Sequence, residues 1–195
     1  MSSEVWRKAL HLLSLVIPVG LVYLDPGTAL RILIPFTALA IIVEVLRARS
    51  ESMRDLVEKI FGFMMRPEEL PPVPAPVRFN GATWVLLTAT FLVAIFPSTV
   101  AAAAISIGLI GDAAAALIGR RFGRTKIGNS NKTFEGSLAF VASTAPLIWI
   151  VPDLTVVAGA AGILAGAVTE VLDLPLNDNL TVPVVVAVVI TLILP

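Results

Sequence analysis

The stretch IGDAAAALIGRRFGRTKIGNSNKTFEG, residues 110–136, holds most of the side chains of this sequence that could do chemistry. Asp112 stands inside an apolar run. Five cations follow (Arg120, Arg121, Arg124, Lys126 and Lys132), and Glu135 comes three residues after Lys132. Gly111 and the alanines from Ala113 to Ala116 are small enough for neighbouring helices to approach closely. The Asp112 oxygens suit a hard divalent cation such as Mg²⁺. The loop that follows joins glycine and asparagine turn sites to arginine forks and lysine point charges, the donors a polyphosphate requires. Glu135 is placed to join the metal or to act as a base. Gly123 and Gly128 have the spacing of a G-x-x-x-x-G-K-[ST] phosphate loop, but Asn129 and Ser130 follow where that loop needs Lys and Ser or Thr. No strand pattern precedes it either, so a phosphate loop of that kind is excluded.

The elements that must position these groups are apolar. The chain has 195 residues, 57% hydrophobic and 14% charged, with a mean hydropathy of +0.93. A soluble domain is about 45–50% apolar and about 25% charged, so the surplus predicts an integral membrane protein. Backbone groups in lipid must be paired within the segment, which makes the expected fold all-α. At about 20 apolar residues per crossing, spans are expected near 5–24, 29–46, 82–97, 98–119, 137–151, 154–172 and 180–194. Seven is the expected number and six the alternative. The first run lacks a small-x-small cleavage site and continues past the length of a signal peptide, so it is read as a span.

Residues 1–195 are expected to form one membrane-embedded catalytic domain. Within it, 50–66 reads as an amphipathic surface helix, with Met53, Leu56, Val57, Ile60, Phe61 and Met64 on one face. Residues 67–79 read as a proline-rich linker and 120–136 as a cytoplasmic loop. With the N-terminus inside, every one of the 14 Lys and Arg residues except Arg31 falls on the cytoplasmic side. The expected location is therefore the cell membrane, multi-pass, with the site facing the cytoplasm. The absence of cysteine excludes disulfides, thiolate zinc sites and cysteine nucleophiles. Lys+Arg and Asp+Glu balance at 14 each, and no nucleic-acid partner is expected.

A charge within a span costs about 2.5–3.5 kcal/mol on insertion scales, so each needs a reason. Glu44, Asp112, Glu170 and the single histidine, His11, all fall toward the cytoplasmic helix ends. A transporter, which with a membrane scaffold is the non-enzymatic alternative, places some such groups near the midplane. The stretch EVLDLPLNDNLTVP, residues 170–183, adds Asp173, Asn177, Asp178 and Asn179 in one short turn, where Asp178 or Asn179 reads as a helix N-cap. Simpler readings stand beside these. The cations serve as a topology signal or a patch for anionic lipid, Asp112 pairs with an arginine, Glu44 and Arg47 form an i,i+3 ion pair, and His11 is a packed, hydrogen-bonded core histidine. Gly162 and Gly166 form a G-x-x-x-G face for a homo-oligomer or for packing within one subunit.

Taken together the motifs resemble the CTP-dependent lipid kinases, the family of dolichol kinase, phytol kinase and the CTP-dependent diacylglycerol kinase. The matching pieces are RKALH (7–11), EVLR (44–47), NGATW (80–84), GDAAAALIGRRFGR (111–124), NKTFEGS (131–137) and EVLDLPLNDNLTVP (170–183), in the family's order. The central core is also similar to phosphatidate cytidylyltransferases, which makes a CDP-lipid synthase the alternative enzyme. The resemblance implies a kinase that transfers the γ-phosphoryl group of CTP to an isoprenoid alcohol, with Mg²⁺ as cofactor. It implies Asp112, with Glu135 or Asp178, as metal ligands. Arg120, Arg121, Arg124, Lys126, Lys132, Thr133 and Asn179 would bind nucleotide, and Asn80 and Thr83 would help define its pocket. Asp178, Glu170 and His11 are the candidates for the base, and Arg7, Lys8, Glu44 and Arg47 would support the site.

Overall fold

The computed structural model describes residues 2–63, 65, 71–128, 132–172, 174 and 176–194, with side chains from Arg7 onward. Met64, Asp173, residues 129–131 of the expected loop and 67–70 of the expected linker lie outside the described residues. Among those described, all regular elements are α-helices. They are α1 (Ser2–Leu13), α2 (Val16–Tyr23), α3 (Pro26–Arg49), α4 (Glu51–Phe61) and α5 (Gly81–Ile95), followed by α6 (Ser98–Phe122), α7 (Phe134–Thr144), α8 (Leu147–Ile150), α9 (Val156–Val171) and α10 (Asp178–Ile193). An isolated bridge pairs Lys126 with Thr133 and closes the loop between α6 and α7.

Capping side chains set most of the helix starts. Asp25 accepts from the Thr28 N–H at 3.0 Å, and Pro26 fills the first position of α3, where no N–H is needed. Ser50, Asn80, Thr133, Thr155 and Asn177 begin α4, α5, α7, α9 and α10 in the same way. The cap of α10 is Asn177, not Asp178 or Asn179 as the sequence suggested.

Two of the expected spans are each broken in two. The run near 5–24 divides into α1 and α2 at residues 14–15, where the Ile17 N–H turns back to the Ser14 carbonyl at 3.0 Å. Pro18 then falls in the first turn of α2, where its missing N–H costs nothing. The run near 137–151 divides into α7 and α8 at Ala145–Pro146, because the proline ring cannot continue the ladder of α7. Pro35 and Pro183, by contrast, lie inside continuous helices. The surface helix is shorter than the expected 50–66. Only Val57 of its apolar side is buried, while Leu56, Ile60 and Phe61 stay exposed. The expected loop 120–136 narrows to 123–133, since α6 runs to Phe122 and α7 begins at Phe134.

α6 is the central post. It touches α1, α2, α5, α7, α8, α9 and α10, and its segment from Val100 to Leu109 is buried throughout. Small side chains make that possible. A Cβ at Gly111 would lie 2.3 Å from Phe140 Cε2, and one at Gly108 would lie 2.7 Å from Pro183 Cγ. Gly162 and Gly166 face α10 and Phe140, so the G-x-x-x-G face packs within the subunit. α3 is the opposite case. Its most apolar window has a mean hydropathy of 2.2, yet only 22% of that window is buried. Ile32, Ile34, Phe36, Leu39 and Ile42 point outward. An outward apolar helix of this length associates the chain with a membrane.

The connections sort by end. Residues 24–25, 96–97 and 151–155 turn tightly at one end, while 50–80, 123–133 and 172–177 make longer excursions at the other. The polar side chains gather at the second end. The tight fit of α6 gives a direct test. Gly111→Ala should lower the thermal midpoint in detergent by an amount equivalent to roughly 1–3 kcal/mol of overpacking. Gly20→Ala, whose new methyl meets only Leu24 Cδ1 at 3.9 Å, should leave the midpoint unchanged or raise it.

Candidate functional site

Four carboxylates occupy the polar end of the bundle, and the structure holds them in two different ways. Glu44 is almost fully buried near the end of α3. Its Oε2 accepts from both Nε (2.9 Å) and Nη2 of Arg47. Its Oε1 accepts from the Asn80 N–H at 3.1 Å and the Thr83 hydroxyl at 3.4 Å. Arg47 Nη2 also donates to the Arg78 carbonyl at 3.1 Å. This knot ties the end of α3 to the start of α5 and confirms the i,i+3 pairing. It also occupies the groups expected to define a nucleotide pocket. The Asn80 side chain accepts from the Thr83 N–H at 2.9 Å, and Thr83 is buried against Glu44.

Asp112 is held by a lysine rather than by an arginine. The Lys8 ammonium, carried by α1 and buried, lies 2.5 Å from Asp112 Oδ2. Lys8 and His11 are three residues apart and share a face of α1. His11 Nε2 accordingly lies 3.4 Å from the same oxygen. That nitrogen is buried and has no hydrogen-bond partner among the described residues. His11 is therefore packed, as expected, but incompletely satisfied.

Lys132 holds the other two carboxylates. Its ammonium is 2.6 Å from Glu170 Oε1 and 3.1 Å from Asp178 Oδ2, bridging the end of α9 to the start of α10. It is also near enough to Asp112 to act on that carboxylate electrostatically. Asn179 extends the contact by donating its side-chain amide to the Gly81 carbonyl at 3.5 Å, which links α10 to α5. The N-termini of α5, α7 and α10 thus meet at this end, and their unpaired N–H groups and dipoles favour an anion. Thr133 serves as the cap of α7 and accepts from the Gly136 N–H at 3.2 Å. Arg120, Arg121, Arg124 and Lys126 stand exposed around the end of α6 and its loop, with the Arg121 guanidinium 5.5 Å from the Phe122 ring centre.

Of the two expected companions of Asp112, Glu135 does not join it. Glu135 turns to the loop, where both its oxygens accept from the Thr125 N–H at 3.2 Å. Among the described residues, no three His, Asp or Glu side chains form a preformed metal set. The donors present, Asp112 on one side and the Glu170–Asp178 pair on the other, therefore fit a different arrangement. Mg²⁺ usually keeps one or two protein carboxylates and takes its remaining ligands from substrate phosphates and water. The carboxylate oxygens of Asp112, Glu170 and Asp178 are of the donor type Mg²⁺ takes, but they form no all-protein cage among the described residues.

Sequence reasoning missed Lys8 as the partner of Asp112, although its spacing from His11 placed both on one face. Comparison with protein-family models, curated proteins and solved structures finds no match to this chain.

Burial works against the Lys132 ammonium, but the Glu170 hydrogen bond and the Asp178 charge outweigh it and hold its pKa above the ordinary 10.5. A raised lysine pKa stabilises the fold fully below the unfolded value, and the contribution is lost as pH rises through the folded one. The contribution of Lys132, read as the difference in thermal midpoint between wild type and Lys132→Met, should therefore persist on the alkaline side of neutral and close only above 10.5. A difference that closes below that pH would contradict this placement.

Proposed function

We propose that the chain is a membrane-embedded CTP-dependent kinase that phosphorylates the hydroxyl of an isoprenoid alcohol of polyprenol, dolichol or phytol type. The observation that carries this reading is the position of Lys132, which bridges Glu170 and Asp178 where three helix N-termini meet. Phosphoryl transfer asks a protein mainly for positioning and charge neutralisation. Lys132, Arg120, Arg121, Arg124 and Lys126 would neutralise the triphosphate. Asp112 and Asp178 would hold the nucleotide's Mg²⁺, which when bound offsets the charge on the transferred group. The alcohol oxygen attacks the γ-phosphorus, the bond to the β-phosphate oxygen breaks, and CDP leaves. Asp178 is the more accessible candidate for the proton, with its side chain 29% exposed against 6% for Glu170. CTP as donor and the isoprenoid acceptor come from the resemblance to the lipid kinases.

The membrane reading extends to seven crossings: α1–α2, α3, α5, α6, α7–α8, α9 and α10. The outward face of α3 supports it, because its exposed apolar side chains need lipid around them. The positive-inside bias puts the polar end in the cytoplasm. The alcohol tail then enters sideways between helices and leaves its hydroxyl at the interface. A transporter would be expected to carry charges near mid-helix, whereas the charges here crowd one end.

Purified protein in lipid nanodiscs should convert CTP to CDP as a polyprenol gains one phosphate. Pyrophosphate release would instead support the CDP-lipid synthase. Asp112→Asn should lower kcat about 10²–10³-fold, the loss typical of removing one preorganised charged group. Topology has its own test, since the chain contains no cysteine. Single substitutions Lys126→Cys and Pro152→Cys should react with an impermeant maleimide from opposite faces, Lys126→Cys from the cytoplasmic one. Labelling of both from one face would rule out the proposed crossings.

A further inference from the structure

The carboxylates at the polar end fall into two chemical classes. Glu44 is gripped by a guanidinium fork, a backbone N–H and a hydroxyl, which leaves its oxygens committed. Asp112, Glu170 and Asp178 are each held by a single ammonium. A guanidinium matches a carboxylate by geometry, whereas an ammonium is a compact point charge that can pass between acceptors. Two ammonium groups thus hold three carboxylates. Beside Asp112, His11 Nε2 is buried without a hydrogen bond among the described residues, which costs free energy in this state. The arrangement is well compensated but not fully satisfied.

We propose that Lys8 and Lys132 are stand-ins for a divalent cation. Each is exchanged when a metal–nucleotide enters: the cation takes the ammonium's place on the carboxylates, and the ammonium passes to a phosphate oxygen. This rests on the reading of the site as one for a nucleotide. It makes Lys8, on α1, a phosphate-binding residue in the loaded site instead of a structural counter-ion. Exchange lets positive and negative groups alternate: carboxylate, metal, phosphate, ammonium. Without it, the cation would meet carboxylates already occupied. Departure of Lys8 also opens Asp112 Oδ2 to His11 Nε2, which already stands 3.4 Å away.

The consequence is a coupling. The metal alone must displace a buried lysine that has no other acceptor among the described residues, so it binds weakly. The nucleotide supplies the acceptor, so the two ligands strengthen each other by the same factor. A purely structural Lys8–Asp112 pair gives no such link.

The test uses the full chain in nanodiscs and Mn²⁺ as the probe, with free Mn²⁺ read by electron paramagnetic resonance. Lys8→Met should bind Mn²⁺ without nucleotide about tenfold more tightly than wild type, a difference of about 1.4 kcal/mol. The variant leaves Asp112 buried and unpaired, so its thermal midpoint should fall. Mn²⁺ should restore it where sodium chloride at equal ionic strength does not. The double variant Lys8→Met/Asp112→Asn should lose both the tighter binding and the Mn²⁺-specific recovery. CTP should strengthen Mn²⁺ binding less in Lys8→Met than in wild type. Unchanged or weaker Mn²⁺ binding by Lys8→Met overturns the exchange, and so does a variant that stays unfolded in Mn²⁺. Wild type that binds no CTP removes the nucleotide reading and leaves the nucleotide-free Mn²⁺ comparison standing.

Discussion

An ionised carboxylate in an apolar bundle must be compensated, and this requirement organises the polar end of the molecule. Removing an ion from water costs several kcal/mol even after the surroundings relax, so a buried charge persists only beside an opposite charge or several donors. Glu44, Asp112, Glu170 and Asp178 each meet the condition across helices, while Glu135 turns to the Thr125 N–H of its own loop. Lys8 joins α1 to α6, Lys132 joins the start of α7 to α9 and α10, and the Glu44–Arg47 pair joins α3 to α5. The ion pairs therefore fix which helix ends are neighbours. They also concentrate the groups that could do chemistry into one region.

That convergence depends on the packing of α6. Asp112 can meet a lysine from α1 on one side and the field of Lys132 on another only because its helix runs through the middle of the bundle. Alanine and glycine along α6 bring the neighbouring backbones close. Gly136 shows the limit on the α7 side, since a Cβ there would lie 3.0 Å from the Ala115 carbonyl oxygen. The same small residues leave little apolar bulk on α6, and Phe140 from α7, fully buried, fills the space over Gly111. Close packing and charge placement are thus one feature: bulky residues in this stretch would move Asp112 away from its partners.

Local features of the fold were legible and distant ones were not. The hydropathy of residues 26–49 and 98–122 marks two long helices directly, whereas Asn80 and Thr133, read from the sequence as nucleotide contacts, are helix caps. The breaks at 14–15 and 145–146 were harder to read. Pro35 and Pro183 are the same residue type and interrupt nothing, and only the surrounding packing separates the cases. At the site, sequence singled out Asp112, Lys132, Glu170 and Asp178. It could not show that Lys8, 104 residues before Asp112, completes the set. Nor could it show that Glu135 turns away to the Thr125 N–H. The i,i+3 pair Glu44–Arg47 was visible because its partners lie within one helical turn.

The caps bear on the proposed phosphate site, because they limit the negative charge already present at this end. α5, α7 and α10 all begin there, and their caps are Asn80, Thr133 and Asn177, which satisfy N–H groups without adding negative charge. At the opposite end α3 is capped by Asp25, whose carboxylate offsets the helix dipole where it stands. An aspartate at any of the three polar-end caps would cancel the field that a phosphate needs and repel the phosphate itself. Of the described acids in these three first turns, Asp178 is already compensated by Lys132, and Glu135 is spent on the Thr125 N–H. A carboxylate-rich end can then receive a polyphosphate only if the cations between them are shared, and sharing is what a lysine, unlike a locked arginine fork, allows.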